Sequence, residues 1–198
     1  MERHRALWLI DAGYLFQAQF SIDKNYRFDY KKLRRVVETD GEIWRAYYLN
    51  STPDPANDIQ NEFHSWLRSA PPRGPKIVTK LYQLKQLNIR SAYCLNCEAK
   101  VRVHGENCDT FEQCHLVKEQ QKGIDVGITT LMLSLQDQYD SLLLSSGDGD
   151  LLDGVDYITQ QGKRLELVVF DHGVSTDLQA RADKIHWIND FADQVGRE

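Results

Sequence analysis

The hydrophobic positions of this chain fall into short continuous runs and longer periodic segments, and the two kinds alternate. The runs predict buried strands, which lie at 7–10, 42–49, 141–145, 165–170 and 184–188. The periodic segments repeat apolar residues every three to four positions and predict helices, which lie at 29–38, 56–69, 124–135, 151–160 and 177–182. Asp29 is placed to cap the first of these helices, and Gly162 follows the fourth at its C′ position. The alternation favours the α/β class, with a mostly parallel sheet covered by helices on both faces.

The alternation of predicted strands and helices is interrupted in the middle of the chain. Residues 71–75, with three prolines and a glycine, form the strongest break. The pattern beyond it predicts a short helix over 76–86 and a strand near 88–93. Residues 94–119 show neither period, and we expect an insertion there. The predicted organisation is one domain over residues 1–198 that carries this insertion.

Composition places the chain among globular proteins. Its 198 residues are 41% hydrophobic and 27% charged, and the length suits one α/β domain. No apolar run approaches the ~20 residues of a membrane helix. The first residues carry no secretion-signal pattern. We therefore expect a cytoplasmic protein with no membrane partner.

The charged residues are distributed unevenly. The net charge is −5, yet residues 68–102 contain eight basic residues and one acid, whereas residues 103–198 contain seven basic residues and eighteen acids. A basic middle and an acidic remainder suit a protein with a phosphate-binding surface and a carboxylate-rich metal site. The alternative is a solvated basic face that binds nothing.

Acidic residues follow two of the predicted strands. Asp11 ends the first strand, and Asp148 and Asp150 follow the strand at 141–145 with glycines before and between them. In open α/β sheets, ligands bind beyond the carboxyl ends of the strands, where the strand order reverses. Asp125 lies in the first turn of a predicted helix and reaches the same crevice if that helix packs beside the first strand.

Four carboxylates so close together would raise one another's pKa values unless a cation neutralised them. A set of oxygen ligands without histidine suits Mg²⁺ or Mn²⁺, ions that activate water for phosphodiester hydrolysis. The predicted catalytic and metal-binding residues are Asp11, Asp125, Asp148 and Asp150. Lys122 and Ser146 are candidates for contact with the scissile phosphate. The alternative is that these aspartates only cap helices and turns.

All four cysteines lie in the expected insertion, at Cys94, Cys97, Cys108 and Cys114. A CxxC pair completed by a second pair is typical of a structural Zn²⁺ site, and His115 is an alternative fourth ligand because the second spacing is wide. Zinc would also stabilise a segment too polar to form its own core. Four free thiols and a redox-active pair are the alternatives.

At the segments that contain the four aspartates, the sequence resembles the NYN domain, in the LabA-like branch of the PIN-like nucleases. The resemblance spans nearly the whole chain, and its three main motifs are Leu-Ile-Asp-Ala-Gly-Tyr-Leu at 9–15, Lys-Gly-Ile-Asp-Val at 122–126 and Ser-Gly-Asp-Gly-Asp at 146–150. The chain departs from the family pattern at Tyr14, where asparagine is common, and at Leu151, which replaces an aromatic residue. Asp153 is a third departure, at a position that is usually proline or apolar.

The resemblance implies a Rossmann-like, three-layer PIN fold in which the four aspartates hold the metal. It also implies a metal-dependent ribonuclease that hydrolyses phosphodiester bonds of single-stranded or structured RNA, and the preference for RNA over DNA comes from the resemblance alone. Lys100 and Arg102 are predicted to guide RNA from the insertion, and a homodimer is a further expectation. The alternatives are a noncatalytic RNA-binding or regulatory module and a small-molecule phosphohydrolase.

Overall fold

The computed structural model describes residues 4–38, 42–53, 57–89, 91–102 and 116–197. The strands in this part of the chain are β1 (Arg5–Asp11), β2 (Glu42–Thr52), β3 (Val78–Gln83), β4 (Lys85–Asn88), β5 (Ser91–Cys94), β6 (Ala99–Arg102), β7 (Val117–Gln120), β8 (Ser141–Ser145), β9 (Arg164–Val169) and β10 (Lys184–Trp187). The α-helices are α1 (Ala12–Ala18), α2 (Tyr30–Val37), α3 (Asp58–Arg68), α4 (Ile124–Ser134), α5 (Leu152–Gln160), α6 (Thr176–Arg181) and α7 (Ala192–Val195). None of the described helices is long and apolar enough to cross a membrane.

Six strands form a central parallel sheet in the order β10-β9-β8-β1-β2-β3. The chain builds outward from β1 to β3, then returns to the other side of β1 and builds outward again from β8 to β10. The strand order therefore reverses between β1 and β8. In doubly wound sheets this reversal opens a crevice at the carboxyl ends of the two strands.

Helices cover both faces of the sheet, because successive side chains of a strand point to opposite faces. In β1, Trp8 and Ile10 belong to one buried cluster, which α1, α2, α3 and α7 complete. Leu7 and Leu9 belong to a second cluster on the other face, which α4, α5 and α6 complete. The result is the predicted α/β architecture of three layers, with β1 buried at its centre.

The predictions for the flanking elements are confirmed with small shifts at their ends, but the helix predicted in the middle of the chain is wrong. Residues 76–86 are not a helix, because β3 occupies 78–83 and pairs with β2 from Val78 to Gln83 as an edge strand of the sheet. The short stretch has β-branched Val78 and Thr79 at its start, which favour a strand. The strand predicted near 88–93 corresponds to the end of β4 and to β5, which lie outside the central sheet.

Residues 85–120, as far as the structure describes them, form two ribbons outside the central sheet. β4 pairs with β7, and β5 pairs with β6, both antiparallel. The described flanks of the segment at 94–119 thus contain regular strands where the hydrophobic pattern showed none. Their side chains are exposed on both faces of the ribbon, so no alternation of apolar residues marks them.

Candidate functional site

Asp11 lies at the carboxyl end of β1, at the point where the strand order reverses. Its side chain caps α1, since Oδ1 accepts a hydrogen bond of 3.1 Å from the Tyr14 amide. The second carboxylate oxygen, Oδ2, lies 3.3 Å from the Ser146 hydroxyl. Asp11 is therefore held by the start of α1 and by the loop that follows β8. The helix α1, which this cap begins, was not predicted from the sequence.

Ser146 joins the acids of the two strands. It follows β8, is fully buried, and its hydroxyl also accepts a hydrogen bond of 3.3 Å from the Asp148 amide. Asp148 in turn accepts a hydrogen bond of 2.9 Å from the Asp150 amide and caps a short 3-10 turn. The hydroxyl that was predicted to contact phosphate is thus directed toward Asp11 and the backbone of Asp148.

Gly147 allows the loop that carries Asp148 to pass close to a neighbouring loop. A Cβ atom at this position would lie 1.9 Å from the Gly173 carbonyl oxygen and 2.8 Å from the Tyr14 ring. The Gly147 carbonyl accepts a hydrogen bond of 2.9 Å from the Ser175 amide. Any larger residue would push the loop away from its support and shift Asp148.

Asp125 of α4 is near enough to Asp11, Asp148 and Asp150 for their charges to interact, but it does not line the cleft that Asp11 and Asp148 line. It is in the first turn of this helix, which begins after Gly123 with φ of 88°, a conformation that favours glycine. The helix start is packed under Tyr82 of β3, whose ring would lie 3.2 Å from a Cβ atom on Gly123. The Tyr82 side chain therefore packs against the start of α4.

The electrostatics of the crevice couple these acids. Burial raises the pKa of Asp11, and the negative charge of Asp125 raises it further, while hydrogen bonds from Tyr14 and Ser146 oppose the change. Partial burial raises the pKa of Asp125, and the charges of Asp148 and Asp150 add to it. No basic side chain forms an ion pair with any of the four in the described residues. A cation would relieve this repulsion.

The donor chemistry of the crevice fits a hard divalent cation, because the ligands it offers are carboxylate oxygens without histidine or cysteine. As the side chains stand, no group of three or more His, Cys, Asp or Glu in the described ranges is close enough to hold a metal ion. Asp125, Asp148 and Asp150 are exposed, so changes of rotamer can bring their oxygens toward Asp11. Holding an ion would therefore require these side chains to move.

The predicted substrate-binding lysines and arginine are exposed and lie on different elements. Lys122 lies two residues before the start of α4 and is near Asp125 in sequence. Lys100 and Arg102 are on β6, in the ribbon that makes no sheet pairing with the central sheet. The cleft at the acids has a volume of about 320 Å³ and is lined by residues of β1, α1 and the loop after β8, not by Lys100 or Arg102.

The four cysteines are only partly described. Cys94 ends β5, Cys97 lies in the turn to β6, and both are free thiols. Backbone hydrogen bonds from Cys97 and Asn96 lower the pKa of Cys94, which favours the thiolate. Cys108, Cys114 and His115, the other predicted ligands, lie outside the described residues.

Three residues that sequence reasoning did not assign to the site also line the cleft. The Tyr14 hydroxyl lies 3.1 Å from the carbonyl oxygens of Phe170 and His172. Tyr14, which stands where the family commonly has asparagine, thus links α1 to the loop after β9. Gln17 and Gln121 line the acid cleft and also a larger adjoining cavity. Gln121 lies just before the helix motif that contains Asp125, but nothing in its local sequence indicates a binding role.

Comparisons with known proteins agree with this architecture. The structure is similar to the crystal structure of a protein of unknown function from Vibrio parahaemolyticus RIMD 2210633, with a TM-score of 0.67 and 20% sequence identity, over 98% of this chain and 97% of the other. At that identity the similarity shows the fold alone. No curated protein sequence matches the chain.

The sequence matches the NYN domain over residues 6–189, from β1 to the end of β10. The match is to the family as a whole and does not identify the LabA-like branch. NYN domains are PIN-like nuclease domains. The chain therefore belongs to the NYN domain family, within the PIN-like nuclease superfamily.

Proposed function

We propose that this protein is a metal-dependent endoribonuclease whose active site is the crevice between β1 and β8. The observation that carries the proposal is that Asp11 and Asp148 line one cleft, while Asp125 and Asp150 lie near enough for their charges to act on the same group of acids. Asp11 comes from β1, Asp125 from α4, and Asp148 and Asp150 from the loop after β8. Structural capping alone requires no such convergence of like charges. The family supports a nuclease activity and an RNA substrate.

In this proposal the four aspartates hold one or two Mg²⁺ or Mn²⁺ ions, which in phosphodiester hydrolysis activate water and offset charge on the leaving oxygen. Asp11 is fixed by its cap on α1 and by Ser146, so it gives the site a rigid reference point. Ser146 positions Asp11 relative to the loop that carries Asp148 and Asp150. Lys122, exposed two residues before α4, would attract the phosphate through its charge.

The first experiment is a cleavage assay with labelled single-stranded and structured RNA on denaturing gels, with Mn²⁺, Mg²⁺ or EDTA. We expect cleavage that requires the metal and is lost in the double variant Asp148→Asn, Asp150→Asn. The matched control is Asp190→Asn, Asp193→Asn, which removes two acids outside the cleft and should leave cleavage unchanged.

The outcomes separate the candidate functions. RNA that is bound but never cut would contradict the nuclease and favour a noncatalytic RNA-binding module. Hydrolysis of simple phosphate esters without cleavage of RNA would favour a small-molecule phosphohydrolase. Membership of the LabA-like branch, a cytoplasmic location and a homodimer stay predictions from the sequence.

We also propose a structural zinc site that uses Cys94 and Cys97 as two of its ligands. The support is a CxxC pair in one hairpin turn, with backbone amides directed at the Cys94 sulfur. Cys108 and Cys114, or His115 in place of Cys114, complete the proposed set. Elemental analysis of the purified protein should find one zinc per chain, and Cys94→Ser, Cys97→Ser should remove it. Four thiols that react fully with a thiol reagent in metal-free protein of unchanged stability would contradict the site.

A further inference from the structure

A second cavity adjoins the acid cleft on the other side of α1. Its volume is about 670 Å³, within the range of roughly 300–1,000 Å³ that is usual for pockets that bind small organic groups. It lies between α1 and α3, above the end of β2. Gly13, Gln17 and Gln121 line both this cavity and the acid cleft, so the two spaces are neighbours that share these three residues.

Aromatic side chains form much of the cavity wall. Phe28, Tyr30 and Tyr48 are buried at its base and pack edge to face against one another. Phe16 of α1 and Phe63 of α3 come from the two helices that frame the cavity, and Phe16 is 53% exposed. A large exposed aromatic ring beside an open cavity contributes little to the core. Aromatic faces of this kind stack on nucleic-acid bases regardless of sequence.

The polar groups of the cavity suit a base with an adjoining phosphate. The side-chain amides of Gln17 and Gln121 make no hydrogen bond in the described part of the chain, so each can donate to and accept from a base edge. Arg27 and Arg197 also line the cavity, and neither guanidinium pairs with a carboxylate among the described residues. The cavity is thus basic and aromatic, whereas the cleft beside it is acidic.

We propose that this cavity binds the unstacked base of a nucleotide next to the phosphate that lies at the acids. The proposal rests on the function proposed above, since it places the phosphodiester at Asp11, Asp125, Asp148 and Asp150. Phe16 stacks on the base, Gln17 and Gln121 contact its edge, and Arg27 and Arg197 attract the neighbouring phosphate. The enzyme then requires a nucleotide that can leave its stack, which favours single-stranded over paired RNA.

The test measures binding rather than cleavage, so it does not depend on turnover. A short labelled single-stranded RNA is prepared as a series in which one position at a time lacks its base. Each member is titrated with the Asp148→Asn, Asp150→Asn protein and with the same protein carrying Phe16→Ala. We expect the loss of one particular base to weaken binding roughly 5- to 100-fold, and Phe16→Ala to remove this penalty at that position.

Two further variants guard against loss of folding. Gln17→Ala removes an exposed amide without hydrogen bonds in the described residues and should weaken binding of the complete RNA roughly 2- to 10-fold. Tyr157→Ala removes a 46% exposed aromatic ring on α5, outside the cavity. This variant should leave unchanged the affinity for each RNA of the series. Thermal midpoints are recorded for every variant.

The outcomes distinguish this proposal from the nuclease proposal. Metal-dependent cleavage together with equal binding of every member of the series overturns the base pocket and leaves the nuclease intact. If removing one particular base weakens binding only when Phe16 is present, and the wild type does not cleave RNA, the base pocket is supported and the nuclease proposal is overturned. Mononucleotides that bind through Phe16 while RNA does not bind identify a free nucleotide as the source of the base. Absence of binding by both RNA and mononucleotides overturns both proposals.

Discussion

A single buried hydroxyl connects the two halves of the candidate site. Ser146 is fully buried, and its oxygen lies 3.3 Å from both Asp11 Oδ2 and the Asp148 amide. The neighbouring Ser145 is equally buried, but its oxygen accepts a hydrogen bond of 2.9 Å from the Trp8 indole. Ser146 therefore contacts Asp11, whereas Ser145 contacts Trp8 in the core. The two differ because successive side chains along an extended strand point to opposite faces.

We predict that Ser146→Ala lowers the cleavage rate roughly 10- to 100-fold, the usual effect of removing a group that orients a metal ligand. The metal concentration needed for half-maximal activity should rise as well, since Asp11 loses its only side-chain hydrogen bond among the described residues. Cleavage kinetics as a function of Mn²⁺ concentration measure both effects.

The control is Ser145→Ala, which should cost roughly 1–3 kcal/mol of stability by leaving the Trp8 N–H without its partner. The folded fraction of this variant should keep its metal requirement. Equal metal dependence in Ser146→Ala and in the wild type would contradict the positioning role of Ser146.

At the scale of elements, the loop after β8 is held in place by its packing against the loop after β9. Gly147 and Gly173 approach so closely that no side chain fits between them, and the Ser175 amide bonds to the Gly147 carbonyl. The position of Asp148 is thus determined by the packing of two loops as well as by its own strand. Tyr14 adds a third element, since its hydroxyl fastens α1 to the end of β9.

We predict that Gly147→Ala destabilises the protein by roughly 1–3 kcal/mol or more, as expected for overpacking against rigid backbone, and abolishes cleavage. In the matched control Gly149→Ala, the new Cβ atom meets only the Ser175 side chain, with the hydroxyl at 3.2 Å, and this side chain can rotate. Thermal unfolding and cleavage of both variants are the measurements. Full activity in Gly147→Ala would show that the loop can move without loss of function.

A largely buried hydrogen bond between Glu166 of β9 and His186 of β10 predicts that the stability depends on pH. Glu166 lies 2.8 Å from His186 Nε2, and this hydrogen bond lowers the pKa of Glu166 below its ordinary value of 4.5. A carboxylate with a lowered pKa contributes stability above its unfolded pKa and loses it as the pH falls through the folded pKa. Stability should therefore fall below about pH 4.5.

We predict that Glu166→Gln is less stable than the wild type at pH 6 by about 1 kcal/mol or more, and that the difference narrows toward about pH 3. Urea unfolding at several pH values measures it. Asp156→Asn breaks the more exposed pair with Arg181 and should change stability by less than about 1 kcal/mol. A constant difference between Glu166→Gln and the wild type at all these pH values would contradict the role of the pair.

At the scale of the whole molecule, the ribbon of β4 and β7 extends from the same edge of the sheet as the acids. β3 ends beside the end of β2, and the Leu84 amide bonds to the Thr52 carbonyl. The ribbon then returns to Gln121 and to α4, which carries Asp125. Its exposed lysines, Lys85 and Lys118, can extend the RNA-binding surface beyond the cleft despite the net charge of −5.

We predict that Lys85→Ala, Lys118→Ala makes the logarithmic dependence of RNA binding on salt less steep by about 1.4, because each lysine that neutralises a phosphate of a single strand contributes about 0.7 to the slope. Lys100→Ala, Arg102→Ala tests the second ribbon in the same way. The control is Arg5→Ala, Arg164→Ala, since these exposed residues begin β1 and β9 at the opposite edge of the sheet. An equal change in slope for the control would contradict a localised binding surface.

The sequence by itself determined the elements whose hydrophobic pattern is produced by burial. The central strands, buried on both faces, read as continuous apolar runs, and the helices on the faces read as periodic segments. The positions of Asp11 after β1 and of Asp148 and Asp150 after β8 followed from these elements, because carboxyl ends of parallel strands share one edge. The motifs at the same positions identified the family.

Only the tertiary structure decided the features that depend on interactions between distant segments. β3 is a strand because it pairs with β2, although its own exposed pattern does not distinguish a strand from a helix. The Ser146 hydroxyl is directed at the Asp11 carboxylate. Position 147 must be glycine because the Gly173 carbonyl, 26 residues away in the chain, leaves no room for a Cβ atom. The aromatic cavity joins Phe16 of α1, Phe63 of α3 and Arg197 near the chain end. Local propensity contains no information about such neighbours, since folding alone brings them together.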